Sequence, residues 1–309
     1  MPMKITARDN EMLDILLKYG AVNKTLLVKI YGNTYYKKRV VVLIENKYIN
    51  RIKNGIYNIA SVGEKYFTDR GIIVNKPINI GEKLFKRYAD ASYLGYILDN
   101  WDFIGSREAK SKYNLNRGLR MTGILQHEER SIFIYKLPTK IGKIGVDSYK
   151  KEFASIKSYG FNEVILLSSS TKVKELFGIN SCNLNNLYVM PDEGISLMLI
   201  NSMANININE WVISQLYDLK TLYKSSLRMY NFENDDEYIF NMIDYNIAKI
   251  DYVLDHIEIM EEGLSKKKEI VCICFVGQMS EIKKMFEKKA GFITFKTLPN
   301  EKLLELIKQ

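Results

Sequence analysis

Residues 48–60 have the sequence YINRIKNGIYNIA, which predicts a β-hairpin. Two short runs of β-prone residues flank Asn54-Gly55. This dipeptide is a strong hairpin signal, because a type I′ turn needs positive φ at both of its central residues. Arg51 and Lys53 stand with Asn54 at the end of the hairpin, where they are suited to contact phosphates or a minor groove.

Three short helices are predicted before the hairpin. The first starts at a capping box formed by Thr6 and Asp9 and stops near Gly20, and the second runs from Asn23 to Gly32. The third starts at Asn33 or Thr34, and its predicted inner face is Tyr36, Val40, Leu43 and Ile44. Such short helices joined by brief turns are typical of a helix-turn-helix.

A fourth helix is predicted after the hairpin, from a second capping box at residues 61–64 (SVGE) to Gly71. Three helices, a hairpin and a further helix, in that order, predict a winged helix-turn-helix. We therefore predict an α+β winged helix in residues 1–76, a linker helix and connecting region in 77–137, and an α/β domain with a mixed sheet and a long helix in 138–309.

Positive charge is concentrated at the amino-terminal end. Residues 1–76 hold ten Lys and four Arg against six acidic residues, so +8 of the chain's formal +9 lies there. This asymmetry favours a polyanion as partner. We predict that double-stranded DNA is bound by the outer face of the third helix and by the hairpin, through Thr34, Tyr35, Lys37, Lys38, Arg39, Arg51, Lys53 and Asn54. A solvated basic surface, or a winged helix that binds another protein, is the alternative.

The same region resembles the replication-relaxation family, which is found on plasmids and mobile elements of Gram-positive bacteria. The resemblance lies in ITARD at 5–9, KRVVVL at 38–43, KYI at 47–49 and YNIASVG at 57–63, and extends more faintly through FIGSRE at 103–108 and MTGIL at 121–125. It implies a role in plasmid replication or transfer. The expected function is sequence-specific DNA binding in replication initiation or its control, and the alternative is a transcriptional regulator with a sensor or dimerisation domain.

The rest of the chain alternates apolar strands with amphipathic helices, one of them predicted at 171–177, and this alternation predicts an α/β domain. A long helix is predicted at about 235–262, because Phe240, Ile243, Ile247, Ile250, Leu254 and Ile257 recur at heptad spacing. This seam is either a homodimer contact or the core-facing side of an ordinary helix. Cys272 and Cys274 alternate in a strand, so both thiols are expected to point into one core.

Signs of catalysis are weak. His127 and His256 are the only histidines and lie far apart, and Asp192-Glu193 is the best acidic pair but lacks the lysine of a nuclease site. Glu281-Ile282-Lys283 and Glu287-Lys288-Lys289 fall on a predicted helix, and Gly142-Lys143 does not complete a phosphate-binding loop. We predict neither a cofactor nor a metal, leave a nuclease-like enzyme as the least favoured alternative, and expect a reduced, cytoplasmic protein without a signal peptide or membrane span.

Overall fold

The computed structural model describes residues 3–308, except 54, 75–80, 171–172, 174–176 and 178–183. The fold mixes helices and strands, as predicted, and the chain divides into two compact units, Met1–Gln126 and His127–Gln309.

The first helix is α1 (Ala7–Tyr19), and both of its predicted ends are confirmed. The Asp9 amide donates to Thr6 Oγ1 at 3.3 Å, and the Thr6 amide donates to the Asp9 carboxylate at 2.7 Å, which completes the capping box. The helix stops at Gly20, whose φ of 88° is readily adopted only by glycine.

The next two helices are α2 (Lys24–Tyr31) and α3 (Tyr35–Glu45). Asn23 caps α2 by accepting a hydrogen bond from the Leu26 amide at 2.9 Å, as predicted. In α3 the predicted inner residues Tyr36, Val40 and Leu43 are buried, and Ile44 is half-buried. They pack into one core with residues of α1 and α2.

A three-stranded antiparallel sheet follows, in the order β1-β3-β2. Its strands are β1 (Val22–Asn23), β2 (Ile49–Lys53) and β3 (Ile56–Ile59), so the predicted hairpin is present as β2 and β3. Gly55 has a φ of 73°, as the turn requires. Asn54 lies outside the described residues.

Helix α4 (Ser61–Thr68) is present, but the predicted capping box at its start is wrong. Ser61 is the first helical residue, and the cap position is Ala60, which offers no side-chain acceptor. The Lys47 carbonyl accepts hydrogen bonds from the amides of Val62 at 2.9 Å and Gly63 at 3.4 Å instead. A tertiary contact thus satisfies amides that a cap would otherwise bind.

The first unit continues with α5 (Glu82–Ile97), β4 (Asp102–Gly105), α6 (Ser106–Lys112) and β5 (Gly123–His127). We expected α5 in a connecting region, but it packs on the amino-terminal elements. Asn23 Nδ2 donates to the Ala89 carbonyl at 3.1 Å, and Ala89 is buried in a cluster with Ala21, Ile56 and Tyr88. The amino-terminal helices and α5 therefore belong to one folded unit.

The second unit begins with the alternating pattern that the sequence predicts. Its first elements are β6 (Arg130–Lys136), α7 (Lys143–Lys157), β7 (Glu163–Ser168) and β8 (Asn186–Pro191), and the three strands are parallel in the order β6-β7-β8. The helix predicted at 171–177 falls largely outside the described residues.

The remaining elements build a mixed sheet in the order β13-β12-β11-β10-β9. Strands β11, β12 and β13 are parallel, whereas β10 is antiparallel to both β9 and β11. The strands are β9 (Tyr223–Lys224), β10 (Phe232–Glu233), β11 (Glu237–Asn241), β12 (Glu269–Phe275) and β13 (Ile293–Leu298), and the helices are α8 (Gly194–Ser202), α9 (Ile208–Ser214), α10 (Ala248–Glu261), α11 (Met279–Met285) and α12 (Glu301–Ile307).

The long helix predicted at 235–262 is wrong in its first half. Residues 237–241 form β11, and α10 begins only at Ala248. Between them, side-chain oxygens accept hydrogen bonds from backbone amides. The Ile243 amide donates to Asn241 Oδ1 at 3.2 Å, and the Asn246 amide donates to Asp244 Oδ1 at 3.1 Å. Such local hydrogen bonds compete with helix formation. Within α10 the seam residues Ile250 and Ile257 are buried in the chain itself, which agrees with the core-facing alternative.

Candidate nucleic-acid interface

The outer face of α3 carries four of the predicted contact residues. Thr34, Tyr35, Lys37 and Lys38 are exposed, while the opposite face is held in the core. Tyr35 is 47% exposed, and its ring lies 6.4 Å from that of Tyr31. Because this face offers two ammonium groups and two hydroxyls on a rigid support, it can donate hydrogen bonds to phosphates and base edges.

Arg39 is not part of that face, and its predicted role as a DNA contact is corrected. Its Nε donates to Asp9 Oδ1 at 2.8 Å, and its Nη2 contacts Asp9 Oδ2 and donates to the Lys4 carbonyl at 2.9 Å. The Asp9 side chain is fully buried, and only 11% of the Arg39 side chain is exposed. This bidentate ion pair occupies the guanidinium and ties α3 to α1.

Asp9 is the centre of a buried polar network. Besides Arg39 it accepts from the Tyr31 hydroxyl at 2.9 Å and from the Thr6 hydroxyl at 2.7 Å. Burial opposes ionisation of the carboxyl, but the hydrogen bonds from Arg39, Thr6 and Tyr31 outweigh it and lower the pKa of Asp9. The capping box and the α1–α3 contact therefore share one carboxylate.

The hairpin end carries the remaining predicted contacts. Arg51 and Lys53 are exposed on β2, and Lys53 Nζ lies 2.9 Å from Glu82 Oε2 at the start of α5. Both partners of that pair are well exposed, so water screens it and the lysine remains available to a stronger anion. The Tyr48 amide donates to the Leu43 carbonyl at 2.9 Å, which joins the end of α3 to the strand that carries Arg51.

A second basic feature was missed by the sequence analysis. A cleft in the first unit is lined by Lys83, Arg87, Arg107, Lys110 and Arg117. Residues 83–120 hold eight basic and four acidic residues, but we averaged their charge with the rest of the chain beyond residue 76. A local charge count along the chain would have found this feature.

Two of the residues weighed as catalytic candidates, His256 and Asp192, have structural partners. His256 is buried, its Nδ1 lies 2.8 Å from the Tyr230 hydroxyl and its Nε2 lies 3.1 Å from Ser265 Oγ. Burial lowers the pKa of His256. Asp192 forms an ion pair with Lys136 at 3.0 Å. In the described residues no group of three or more His, Cys, Asp or Glu side chains is arranged to hold a metal.

Cys272 and Cys274 of β12 are both buried, as the strand pattern predicts, and both are free thiols. Burial raises the pKa of both thiols, that of Cys272 well above its ordinary value and that of Cys274 to about 11. Both thiols are therefore protonated at neutral pH, which is the unreactive form.

The second unit contains a polar cleft of about 940 Å³. Several of its charges are paired: Arg130 Nη2 lies 2.8 Å from Glu163 Oε2 and donates to the Tyr188 hydroxyl at 3.1 Å. Lys249 Nζ donates to the Asn241 carbonyl at 2.9 Å. The cleft is large enough for a small polar molecule.

Comparison with protein-family models, with curated proteins and with solved structures finds no match. The resemblance to the replication-relaxation family therefore stays a prediction. Among the described helices, none is both long and apolar enough to cross a membrane.

Proposed function

We propose that the first unit is a winged helix-turn-helix that binds double-stranded DNA, with α3 in the major groove and the β2–β3 hairpin as the wing. The observation that carries the proposal is the outer face of α3. Lys37 and Lys38 are exposed there, while Tyr36 and Val40 hold the opposite face in the core. A helix supported in this way fits a major groove about 12 Å wide.

The ion pair between Arg39 and Asp9 supports the same proposal. Because it fixes α3 against α1, the outer face keeps one orientation before DNA arrives. Binding then requires less ordering of the protein, which favours affinity.

The proposed biological role is recognition of specific sites on a plasmid or mobile element, in replication initiation or its control. It rests on the family resemblance in the first unit. Binding as a homodimer to paired half-sites belongs to this proposal, since winged helices commonly read two half-sites in this way.

The alternative role is transcriptional regulation with the second unit as a sensor. The polar cleft of about 940 Å³ favours it, because a ligand held there would give the second unit something to sense. A cytoplasmic location is part of both proposals.

The experiment that tests DNA binding compares two lysine pairs. Lys37→Ala with Lys38→Ala should weaken binding to a randomised duplex in fluorescence anisotropy, and should flatten the dependence of log K on log salt by about 0.9 per lost phosphate contact. Lys283→Ala with Lys284→Ala is the matched control, because it removes the same charge from an exposed adjacent pair on α11. If the α3 variant binds as tightly as the parent at about 150 mM salt, α3 does not enter the groove.

The two roles are separated by the DNA that the protein selects. Genomic and plasmid fragments enriched on the immobilised protein should contain a replication origin in the first case and a promoter in the second. Incubating the enriched fragment with Mg²⁺ or Mn²⁺ tests the nuclease alternative, which requires strand cleavage.

A further inference from the structure

A cleft of about 860 Å³ lies in the first unit between the start of α5, helix α6 and the segment that follows α6. Its lining includes five cationic side chains, those of Lys83, Arg87, Arg107, Lys110 and Arg117, and no acidic residue. Cationic side chains gathered around one concave surface create a positive potential, and the low-dielectric walls of the cleft concentrate it. Such a cleft attracts anions.

Two of the five cations build the cleft. Lys110 Nζ donates to the carbonyls of Arg117 at 2.8 Å and Leu119 at 2.6 Å, and Arg87 Nη1 donates to the Leu119 carbonyl at 3.4 Å. These contacts hold the segment that carries Arg117 against α5 and α6. The cleft is thus a fixed surface and not a chance cluster of long side chains.

The other three cations, Lys83, Arg107 and Arg117, are exposed at the cleft. Ser111 and Asn114, also exposed, add neutral hydrogen-bond donors to the same lining. Arginine, lysine, serine and asparagine side chains without a carboxylate among them are the set that contacts phosphate oxygens in nucleic-acid complexes.

The cleft lies next to the turn end of the β2–β3 hairpin. Lys53 on β2 contacts Glu82, and Lys83, the next residue along the chain, lines the cleft. A nucleic acid that touches Arg51 and Lys53 therefore meets further cations as it continues past the hairpin. This adjacency favours a nucleic-acid backbone over a free phosphate ion.

We propose that this cleft binds the sugar-phosphate backbone of the DNA duplex beside the segment read by α3, and so extends the footprint on the hairpin side. The inference rests on the proposed function. It assigns to α5 and α6 a second, sequence-independent contact with the same DNA molecule.

The test uses the full chain with Lys83→Gln and Arg117→Gln, because both side chains are exposed and neither donates the hydrogen bonds that build the cleft. On a selected duplex that extends about one helical turn beyond the α3 site, the double variant should bind more weakly, with a salt slope smaller by about 1.8 for two lost phosphate contacts. Its hydroxyl-radical footprint should be shorter on one flank only. On a duplex trimmed to the α3 site, variant and parent should bind equally.

Lys283→Gln with Lys284→Gln is the control for lost charge, and should change neither the footprint nor the slope. The cleft variant could instead show the same footprint and salt slope as the parent, while Lys37→Ala with Lys38→Ala still weakens DNA binding. That result would overturn the inference and leave the proposed function standing. The cleft arginines can also be modified chemically in the presence of inorganic phosphate or of the long duplex. If the two protect these arginines equally, the cleft binds free anions, and the inference is overturned as well. If the parent binds neither duplex, the proposed function itself fails.

Discussion

The guanidinium of Arg39 in α3 is paired with the carboxylate of Asp9 in α1, thirty residues earlier, and Asp9 also closes the capping box of its own helix. One buried carboxylate therefore fixes both the start of α1 and the position of α3. Removing one partner of a buried pair costs more than the pair contributes, because it leaves a charge without compensation.

We expect Arg39→Met to lower the free energy of unfolding of the first unit by about 3–5 kcal/mol at pH 7. Trp101 is buried in the first unit and Trp211 belongs to the second, so in a Trp211→Phe background urea unfolding followed by fluorescence reports the first unit. Arg51→Met, at an exposed position, is the control and should change stability little. A loss no larger than the control's would mean that the pair does not hold α3.

The cost of Arg39→Met should shrink in acid. The pKa of Asp9 is lowered in the folded protein. Its ionised carboxylate therefore contributes fully to the stability of the fold above the unfolded-state pKa of about 3.9, and this contribution is lost as pH falls through the folded-state pKa. In the variant the buried carboxyl can be neutralised by a proton at low pH. The difference between parent and variant should therefore be smaller at pH 3 than at pH 7, and a constant difference would contradict this account.

His256 should make the second unit sensitive to mild acid. Burial lowers its pKa, so the unfolded state binds a proton more readily and stability falls as pH drops below about 6.5. Asp251 changes stability over the same pH range with the opposite sign, so the quantity to measure is the difference between variant and parent. His256→Gln should gain stability relative to the parent as pH falls from 7 to 5, in urea unfolding followed through Trp211 in a Trp101→Phe background. His127→Gln leaves His256 in place and should show no such gain.

Asp251→Asn should stabilise the second unit at pH 7. Burial and the neighbouring Asp255 raise the pKa of Asp251 to about 6, with Lys150 opposing, and its buried Oδ1 has no hydrogen-bond partner among the described residues. A raised pKa means that ionisation weakens the fold as pH rises through about 6. The gain should vanish near pH 4, and exposed Asp147→Asn should show no such pH-dependent gain.

Gly63→Ala should destabilise the first unit, although alanine usually improves a helix by about 1 kcal/mol. A Cβ at Gly63 would lie 2.3 Å from the Tyr48 carbonyl oxygen, so backbone must move, at a cost of about 1–3 kcal/mol. Gly194→Ala in α8 meets nothing within 4 Å and is the control. Equal melting temperatures for Gly63→Ala and the parent would show that the contact relaxes freely.

Local signals predicted the amino-terminal elements well. Thr6, Asn23 and Gly20 act within a few residues of themselves, and the spacing of Tyr36, Val40 and Leu43 follows directly from the helical repeat. Ser61 misled the prediction because its helix is completed by the distant Lys47 carbonyl. The partner of Arg39 was likewise invisible, since nothing in a local pattern links it to Asp9.

The error at residues 237–247 has a different cause. Strand β11 lies between two neighbours and is buried along Tyr238, Ile239 and Phe240, so apolar residues there follow no period of two. Phe240 and Ile243 then matched a heptad by coincidence with residues of α10. A buried strand and a helix are not distinguished by apolar spacing alone over so short a run.

The packing of α5 on β1 also has a consequence for how the protein folds. The hydrogen bond from Asn23 to Ala89 joins residues 66 positions apart, and that from Tyr19 to Phe103 joins residues 84 apart. Contacts so distant in sequence slow folding, because a long loop must close before they form. During synthesis the amino-terminal helices therefore leave the ribosome with one side of their core uncovered, and that core closes only after α5 has emerged.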